Sequence, residues 1–184
     1  MIRPYVSLAV LCAVCLLCPP SAGAQSWQSH LKGELSLLGH RNWILIVDSA
    51  YPEQVGPGIE TVETNADQLD VVRTVLTTLK SSIHVRPVIF MDAELPFVND
   101  GKAPGASAYR TRIASVLHDY EVQSRLHQSL IDEVAKDGTL YHVLILKTQL
   151  AVPYTSVFIH LECKYWSAEN ERDLRATMSS RGSQ

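Results

Sequence analysis

Polar side chains that can do chemistry stand at the ends of the apolar runs of this sequence. In "LGHRNWILIVDSAYPE" (38–53), His40 precedes the run 43–47 and Asp48 follows it directly; Asp92 ends "PVIFM", and Tyr154 comes shortly before "VFI". A histidine can shuttle protons near neutral pH, an aspartate can accept hydrogen bonds from hydroxyl groups, and a tyrosine can donate one. Buried strands of the parallel type often deliver functional groups at their ends. These residues therefore predict acid–base chemistry on a polar ligand.

Each of these residues also has a purely structural explanation. A histidine after a helix C-terminus interacts favourably with the helix dipole. Asp48 ahead of "SAYPE" fits an Asx-type turn, and Tyr154 after Pro153 fits a packing tyrosine whose hydroxyl is tied to the backbone. Asp92 is interpreted as a strand-end cap. Residue types and spacing leave both explanations open.

The separation of His40 from Asp48 constrains any site that uses both. If the segment were fully extended, eight steps of about 3.3 Å would place the two residues roughly 26 Å apart. They could not then share one pocket within a single chain. Either the "HRN" segment folds back, or one of the two residues comes from a neighbouring subunit.

The elements that must position these residues follow from apolar periodicity. A short helix is expected to end near His40, with Gly39 in the left-handed position, and a capping box formed by Asn65 and Gln68 predicts the start of a second helix. The stretch 109–136 is expected to be helical in two pieces, with an inward face. That face comprises Leu126, Leu130, Ile131 and Val134. Strands are predicted at 43–47, 59–62, 86–92, 141–147 and 157–166. Alternating strands and helices predict a single α/β layered domain, with a mainly parallel buried sheet flanked by helices.

The N-terminus has the layout of a secretory signal peptide. Arg3 precedes the apolar run "VSLAVLCAVCLL", and "AGA" at 22–24 is a small-residue cleavage site, so the mature chain is expected to begin at Gln25. This predicts a secreted or periplasmic protein that is not membrane-bound after cleavage. Only Cys163 lies beyond the signal segment, which excludes a disulfide framework. The folded domain is expected at 25–166, followed by a polar C-terminal tail or solvated helix at 167–184.

Charge and motifs disfavour several classes of partner. The mature chain would keep 15 of the 16 Lys and Arg residues against 19 Asp and Glu, without basic clusters, which argues against binding to nucleic acid or anionic membrane. There is no glycine-rich phosphate loop, since "GPG" is a turn. The histidines show no HxH or HxxxH spacing, so no zinc motif is visible. No metal and no cofactor are expected.

Two segments resemble the D-ribose pyranase and L-fucose mutarotase (RbsD/FucU) family. "LGHRNWILIVDSAYP" is similar to the family's N-terminal signature, in which an aspartate follows the histidine by eight residues, and "PYTSVFI" is similar to its Tyr-x-Asn segment ahead of the last strand. The resemblance covers about 31–165, with 94–140 only loosely alignable. It implies an RbsD-like fold, homo-oligomers with pockets near subunit boundaries, and cofactor-free interconversion of the anomers, or of the pyranose and furanose forms, of a ribose- or fucose-like monosaccharide.

The resemblance also assigns roles to individual residues. His40 matches the family's general acid/base histidine, and Asp48 and Tyr154 match its sugar-binding aspartate and tyrosine. His127 corresponds to a pocket histidine on the last long helix. Ser156 stands where the family has asparagine, and it can still hydrogen-bond to a sugar although it is shorter.

Departures from the family pattern leave a second function open. Leu150 stands where members commonly carry a glutamate, Ser156 lacks the amide group, and export is unusual because the familiar members act inside cells. The sequence therefore predicts an exported monosaccharide mutarotase or pyranase-like isomerase that uses His40 as acid/base. The alternative is a non-catalytic extracytoplasmic sugar-binding or structural module with the same fold.

Overall fold

The computed structural model describes residues 26–181, so the predicted signal peptide lies outside the described range. Within that range the chain forms one six-stranded sheet flanked by helices. In chain order the elements are α1 (Trp27–Leu35), β1 (Trp43–Val47), β2 (Ile59–Glu63), α2 (Gln68–Ser81), β3 (Val85–Asp92), a 3-10 turn (Leu95–Phe97), α3 (Ala106–Val116), β4 (Val122–Arg125), α4 (His127–Asp137), β5 (Val143–Lys147), β6 (Val157–Cys163) and α5 (Ala168–Arg181). None of the helices within 26–181 has both the length and the apolar character that crossing a bilayer requires.

The sheet is mainly parallel, as the sequence predicts, with one reversed strand near its middle. The strand order is β2-β5-β1-β6-β3-β4, and β6 runs antiparallel to both of its neighbours, β1 and β3. The other pairings are parallel. We call the edge where β1, β3 and β5 end the carboxyl edge, and the edge where they begin the amino edge. Because β6 is reversed, it begins at the carboxyl edge and ends at the amino edge.

Helices cover both faces of the sheet, which explains why the central strand β1 is apolar throughout. All five residues of β1 are fully buried, because alternate side chains enter different cores. Ile44 and Ile46 pack with α1, α2 and α3 on one face. Trp43, Leu45 and Val47 pack against α4 on the other face. The result is a layered α/β domain whose sheet is flanked by helices, as the sequence predicts, and the helices lie on both of its faces.

The second helix is confirmed, but its predicted cap is wrong. The N-cap of α2 is Asp67, whose Oδ1 accepts hydrogen bonds from the backbone N–H groups of Leu69 (2.9 Å) and Asp70 (3.4 Å). Asn65 lies outside the helix with a positive φ of 51°. Its side chain instead accepts a hydrogen bond from Gln149. Leu69, Val72, Leu76 and Leu79 recur at intervals of three and four and form the buried apolar face of the helix.

The predicted end of the first helix also differs from the structure. Helix α1 ends at Leu35 rather than near His40, and Gly39 does not adopt a left-handed conformation; Arg41 does, with a φ of 74°. The reason is a turn in which the Asn42 side chain accepts a hydrogen bond from the Gly39 N–H (2.6 Å). The "HRN" segment therefore leads into β1 through this turn.

The stretch 109–136 contains a strand that the sequence pattern did not predict. Between α3 and α4, residues 122–125 form β4, which pairs in parallel with the end of β3. Leu126 is therefore the N-cap of α4 and is 60% exposed, so its predicted inward position is wrong. Leu130 and Val134 are fully buried, as predicted.

The C-terminal segment from 168 forms the polar helix α5. Its apolar residues Leu174 and Met178 are exposed rather than packed in either core. The helix is tied to the preceding loop by a hydrogen bond from Trp166 Nε1 to Glu171 (2.9 Å). These two apolar residues therefore lie outside both cores, while the start of the helix lines a cleft together with His40 and Arg86.

Candidate functional site

A cleft of about 390 Å³ opens at the carboxyl edge of the sheet, where β1 and β3 end. Its walls are the loop 48–52, the first residue of α4, His127, and the loop 151–154. We call it the Asp48 cleft. It brings together three residues that the sequence singled out from distant parts of the chain, Asp48, His127 and Tyr154. Its size suits a ligand of a few ring atoms.

Asp48 follows the last residue of β1 and shapes the loop that forms the cleft wall. Its Oδ1 accepts a hydrogen bond from the Ala50 N–H (2.9 Å), which is the Asx-type turn that the sequence allowed. Next to it, the Ser49 N–H donates to the Leu150 carbonyl (2.8 Å) and joins the two cleft loops. Asp48 is only 8% exposed, and the described residues supply no hydrogen bond to its second carboxylate oxygen. That oxygen is therefore free to accept one from a ligand hydroxyl.

His127 is paired with a carboxylate beneath the cleft. Its Nδ1 lies 3.0 Å from Asp92 Oδ1, and the side chain of Asp92 is completely buried. The His127 backbone N–H also donates to both carboxylate oxygens of Glu94, at 3.1 Å each, which fixes the start of α4. Because Nδ1 faces Asp92, Nε2 is the nitrogen left for a ligand.

The histidine and the aspartate change each other's ionisation. Contact with Asp92 raises the pKa of His127, and this effect outweighs the opposing influence of the partial burial of the ring. Burial raises the pKa of Asp92, and the nearby His127 limits that rise. Within the described residues neither carboxylate oxygen of Asp92 has an aligned hydrogen bond. The ring of His127 is therefore held in the cleft as a group that takes up a proton more readily than an ordinary histidine.

Aromatic rings surround His127 on two sides. Tyr51 is 3% exposed and stands edge-on to His127, with ring centroids 6.4 Å apart. Tyr154 is 38% exposed and also stands edge-on to it, at 5.5 Å. Burial raises the pKa of Tyr51, so its hydroxyl stays neutral at physiological pH. The cleft thus combines polar groups with ring faces and edges, a combination that suits an amphipathic ligand.

A buried polar network holds the loop that carries Tyr154. Gln68, 1% exposed, donates from Nε2 to the Thr155 carbonyl (2.5 Å), and its Oε1 accepts from Thr148 (3.2 Å). The Tyr109 hydroxyl donates to the same Thr155 carbonyl (2.8 Å). Tyr154 itself has a φ of 59°, in the left-handed region that non-glycine residues seldom occupy. Such a conformation persists where surrounding contacts fix it, and this network supplies them.

Ser156 is adjacent to the cleft loop in sequence but does not line the Asp48 cleft. The residue is fully buried, directly ahead of β6, and its hydroxyl has no hydrogen-bond partner among the described residues. A buried hydroxyl without a partner is unfavourable by about 1–3 kcal/mol. The role of Ser156 in sugar binding remains a prediction.

His40 lies apart from the Asp48 cleft, at the amino edge of the sheet. It is exposed in the turn before β1 and lines a different cleft of about 620 Å³, together with Arg86, His160, Glu162 and Trp166. We call this the His40 cleft. Strand β1 lies between His40 and Asp48, and its two ends are about 13 Å apart. The turn in the "HRN" segment therefore does not bring His40 to Asp48 within one chain.

The fold has known counterparts among solved structures. The chain is similar to RbsD from Bacillus subtilis, solved in complex with D-ribose, with a TM-score of 0.53, 18% identity, and coverage of 73% of this chain and 92% of that chain. The chain has the RbsD/FucU fold. It is also similar to FucU from Bifidobacterium longum (TM-score 0.49, 12% identity, 72% and 93% coverage). The fucose mutarotase from Streptococcus pneumoniae, solved in complex with L-fucose, has a TM-score of 0.46 and 13% identity, and the match covers 71% of this chain and 89% of that chain. No protein-family model and no curated protein sequence matches it.

Two residues in or beneath the Asp48 cleft were not assigned to it from the sequence. Tyr51 follows Asp48 by three residues, so an aromatic residue close behind a strand-end aspartate was the available signal. Asp92 was interpreted as a strand-end cap, whereas the structure pairs it with His127. The sequence predicts that β1 and β3 are parallel strands of one sheet. Because the carboxyl ends of parallel strands lie at the same edge, this could have indicated that Asp48 and Asp92 are near each other.

Proposed function

We propose that the protein is a monosaccharide mutarotase or pyranase-like isomerase that requires no cofactor. The observation that carries the proposal is the Asp48 cleft, in which Asp48, His127 and Tyr154 converge in a chain with the RbsD/FucU fold. A carboxylate, an imidazole and a phenol are suitable hydrogen-bonding partners for sugar hydroxyl groups. The solved RbsD neighbour, which binds D-ribose, supports a pentose or a sugar of similar size as the ligand.

The proposed chemistry is proton transfer during opening and closing of the sugar ring. Ring opening needs a proton delivered to the ring oxygen and another removed from the anomeric hydroxyl, and closure on the other face reverses both steps. A histidine that titrates near neutral pH suits both roles, and such general acid–base catalysis typically contributes about 10²- to 10⁴-fold. His40 is the proposed acid/base, with Asp48, Tyr154 and His127 holding the sugar.

This assignment requires that His40 reach the Asp48 cleft from a neighbouring subunit. His40 is exposed in the His40 cleft, which leaves its ring available to another molecule. We therefore propose a homo-oligomer in which the His40 of one subunit completes the Asp48 cleft of the next. Such an oligomer corresponds to the second of the two arrangements that the separation of His40 and Asp48 in the sequence allows.

Exchange spectroscopy tests the proposed activity directly. Two-dimensional NMR of anomeric protons would be recorded for ribose, fucose, galactose and related sugars with and without the purified protein. We expect the protein to give cross-peaks stronger than those of spontaneous exchange for one of the sugars. In His40→Ala these cross-peaks should fall to the spontaneous level, while the variant still binds the sugar. Exchange that is unchanged in His40→Ala would contradict the assigned acid/base.

A second candidate function is supported by two features of the loop before β6. Ser156 is buried away from the Asp48 cleft, and Leu150 supplies no carboxylate. Neither residue therefore offers a polar group to a sugar in the Asp48 cleft. A non-catalytic sugar-binding module would shift its melting temperature with a sugar at millimolar concentration and yet produce no exchange cross-peaks.

Export is part of the proposal, on the basis of the N-terminal 24 residues. Intact-mass measurement of the protein purified from its own cells would test it. A mass that corresponds to a chain beginning at Gln25, found outside the cytoplasm, is the expected result. A chain that retains Met1 in the cytoplasmic fraction would contradict it.

A further inference from the structure

Four metal-ligating side chains gather at the amino edge of the sheet, at the end that carries β2 and β5. His30 and Glu34 belong to α1, Glu60 to β2, and His142 directly precedes β5. We call them the His30 cluster. His30 Nε2 lies 3.0 Å from Glu60 Oε1, and His142 Nε2 lies 3.6 Å from Glu60 Oε2 and 3.8 Å from Glu34 Oε2. The ligand atoms of Glu34, Glu60 and His142 all lie within 4.8 Å of one another.

Regular structure explains why these side chains meet. His30 and Glu34 are four residues apart on α1 and therefore share one face of the helix. In the parallel pairing of β2 with β5, Ile59 is opposite Val143, so Glu60 and His142 lie within one residue of that pair. The His142 carbonyl accepts hydrogen bonds from Trp43 N (3.1 Å) and from the Asn42 side chain (3.2 Å). The cluster is thus built on rigid elements.

The polar atoms of the cluster are turned toward each other rather than toward partners elsewhere. His30 Nε2 and His142 Nε2 are shielded from solvent and have no aligned hydrogen bond among the described residues. Within that part of the chain, neither Glu34 nor Glu60 forms an ion pair with a lysine or arginine. Two carboxylates therefore face two imidazole nitrogens without any fixed positive charge. Such an arrangement is stabilised when a cation lies between them.

We propose that the His30 cluster binds a divalent transition-metal ion, and that zinc fits it best. Around a tetrahedral zinc ion with ligands at about 2.0–2.1 Å, neighbouring ligand atoms are about 3.3 Å apart. His142 Nε2 lies at comparable distances from Glu60 Oε2 (3.6 Å) and Glu34 Oε2 (3.8 Å), so these three residues supply the core of the site. His30 lies beside them, 3.0 Å from the other carboxylate oxygen of Glu60, and is the candidate fourth ligand. The two imidazoles disfavour calcium and magnesium, which prefer oxygen ligands. The side chains are 25–37% exposed, so an ion can enter from solvent.

The bound ion would link α1 to the β2-β5 end of the sheet. Elsewhere α1 contributes only one fully buried side chain, Leu31, to the core. A metal ion with ligands from α1, β2 and the start of β5 would therefore hold the helix against the sheet. The site lies at the edge opposite the Asp48 cleft, so its role is structural and does not depend on the proposed sugar chemistry.

Zinc titration of the purified, untagged protein after chelator treatment tests the proposal. Calorimetry with zinc chloride should give one ion per chain, and the ion should raise the melting temperature. Glu60→Gln and His142→Ala should each weaken zinc binding by more than about 100-fold, since even changes beyond the ligands alter affinity about 10- to 100-fold. His118→Ala is the matched control, because His118 is exposed and its ring contacts Asp119 and the Ser115 carbonyl, away from the cluster.

Cobalt provides an independent readout that does not depend on stability. Co²⁺ bound by four nitrogen and oxygen ligands absorbs strongly in the visible range. The wild type and the His118→Ala variant should both show this absorption with Co²⁺, and added zinc should displace the Co²⁺ and abolish it. Glu60→Gln, which preserves the shape of the side chain, should lack it while keeping the wild-type circular dichroism spectrum. The proposal is overturned if folded wild-type protein binds no zinc, or if Glu60→Gln binds zinc and cobalt as the wild type does. The second outcome would identify the cluster as a set of histidine–carboxylate ion pairs only.

Discussion

His127 Nδ1 lies 3.0 Å from Asp92 Oδ1, an arrangement that buries a carboxylate completely beneath a partly exposed imidazole. The contact joins the end of β3 to the first residue of α4. It fixes the side of the ring that faces the protein and leaves the other side to the Asp48 cleft. The protonation of His127 therefore depends on Asp92, and this dependence can be measured.

The pKa of His127 should lie above the ordinary histidine value and should fall when Asp92 is replaced. The hydrogen bond to Asp92 is the largest cause of the increase, and the Asp92 charge adds to it; Asp92→Asn weakens the first to a neutral hydrogen bond and removes the second. Imidazole chemical shifts followed by NMR from pH 5 to 9 would give both values. Asp48→Asn should lower the pKa less, because Asp48 makes the smallest contribution. Equal values in the wild type and Asp92→Asn would show that the contact is not formed in solution.

The same pair should make stability depend on pH in one direction. A histidine whose pKa is raised by folding contributes stability that is fully present below its unfolded pKa of about 6.5 and is lost as the pH rises through the folded value. The wild type should therefore exceed His127→Gln in free energy of unfolding by more at pH 6 than at pH 8.5. Urea unfolding at fixed protein concentration measures this difference. A pH-independent difference would mean that packing, not ionisation, accounts for the effect of the substitution.

A site shared between subunits should recover activity when two inactive variants are mixed. His40→Ala removes the proposed acid/base, and Asp48→Asn removes the carboxylate charge while keeping an acceptor for the Ala50 N–H. With random assortment, about one quarter of the sites would unite an intact His40 with an intact Asp48. Anomeric exchange rates before and after subunit mixing would reveal this. If mixing is verified by mass spectrometry and the rate stays at the level of the parents, both residues act within separate sites.

Gln68 should support both the fold and the Asp48 cleft. Gln68→Leu keeps the side-chain size but removes the hydrogen bonds to Thr148 and Thr155 from a buried site, which should destabilise the protein by about 1–3 kcal/mol. It should also weaken sugar binding, because it loosens the loop of Tyr154. Gln128→Leu, on the exposed face of α4, should change stability by less than about 0.5 kcal/mol. Equal effects of the two substitutions in urea unfolding would argue against the network.

Two glycines should respond in opposite ways to replacement by alanine. A Cβ atom at Gly58 would overlap the backbone carbonyl oxygens of Tyr141 and Gly138, which cannot move easily, so Gly58→Ala should destabilise the protein by about 1–3 kcal/mol. Gly33 lies in the interior of α1 with open space around it, so Gly33→Ala should stabilise it by about 0.5–1 kcal/mol. Chemical denaturation of both variants would check the signs. Stabilisation by Gly58→Ala would show that the β2-β5 end of the sheet packs less closely.

The parts of the fold that the sequence predicted are those with strong local patterns. The buried strand 43–47 is an unbroken apolar run, and α2 has a regular apolar face, so both could be predicted without knowing their neighbours. Strand β4, "VQSR", has no such pattern, because it is a strand only through its pairing with β3. The cap of α2 was misassigned because Asn65 and Asp67 are both suitable caps, and the positive φ of Asn65 decides between them.

The site was predicted less completely than the fold, because its contacts join distant segments. The strand ends indicated Asp48 and Tyr154, the resemblance added His127, and the structure places all three at the Asp48 cleft. The pairing of His127 with Asp92 depends on β4 bringing α4 back to the end of β3, and that strand was not predicted. The His30 cluster draws on α1, β2 and β5, so no short motif announces it.

The reversed direction of β6 has a consequence for how activity would vary with dilution. The strand begins beside the Asp48 cleft and ends beside the His40 cleft, so one rigid segment of about 20 Å holds the two clefts apart in each chain. If each complete site needs one cleft from each of two chains, an isolated chain has no complete site, whereas a closed ring has as many sites as subunits. Specific activity would then fall steeply once the protein is diluted below its dissociation constant, and sugar would drive reassembly.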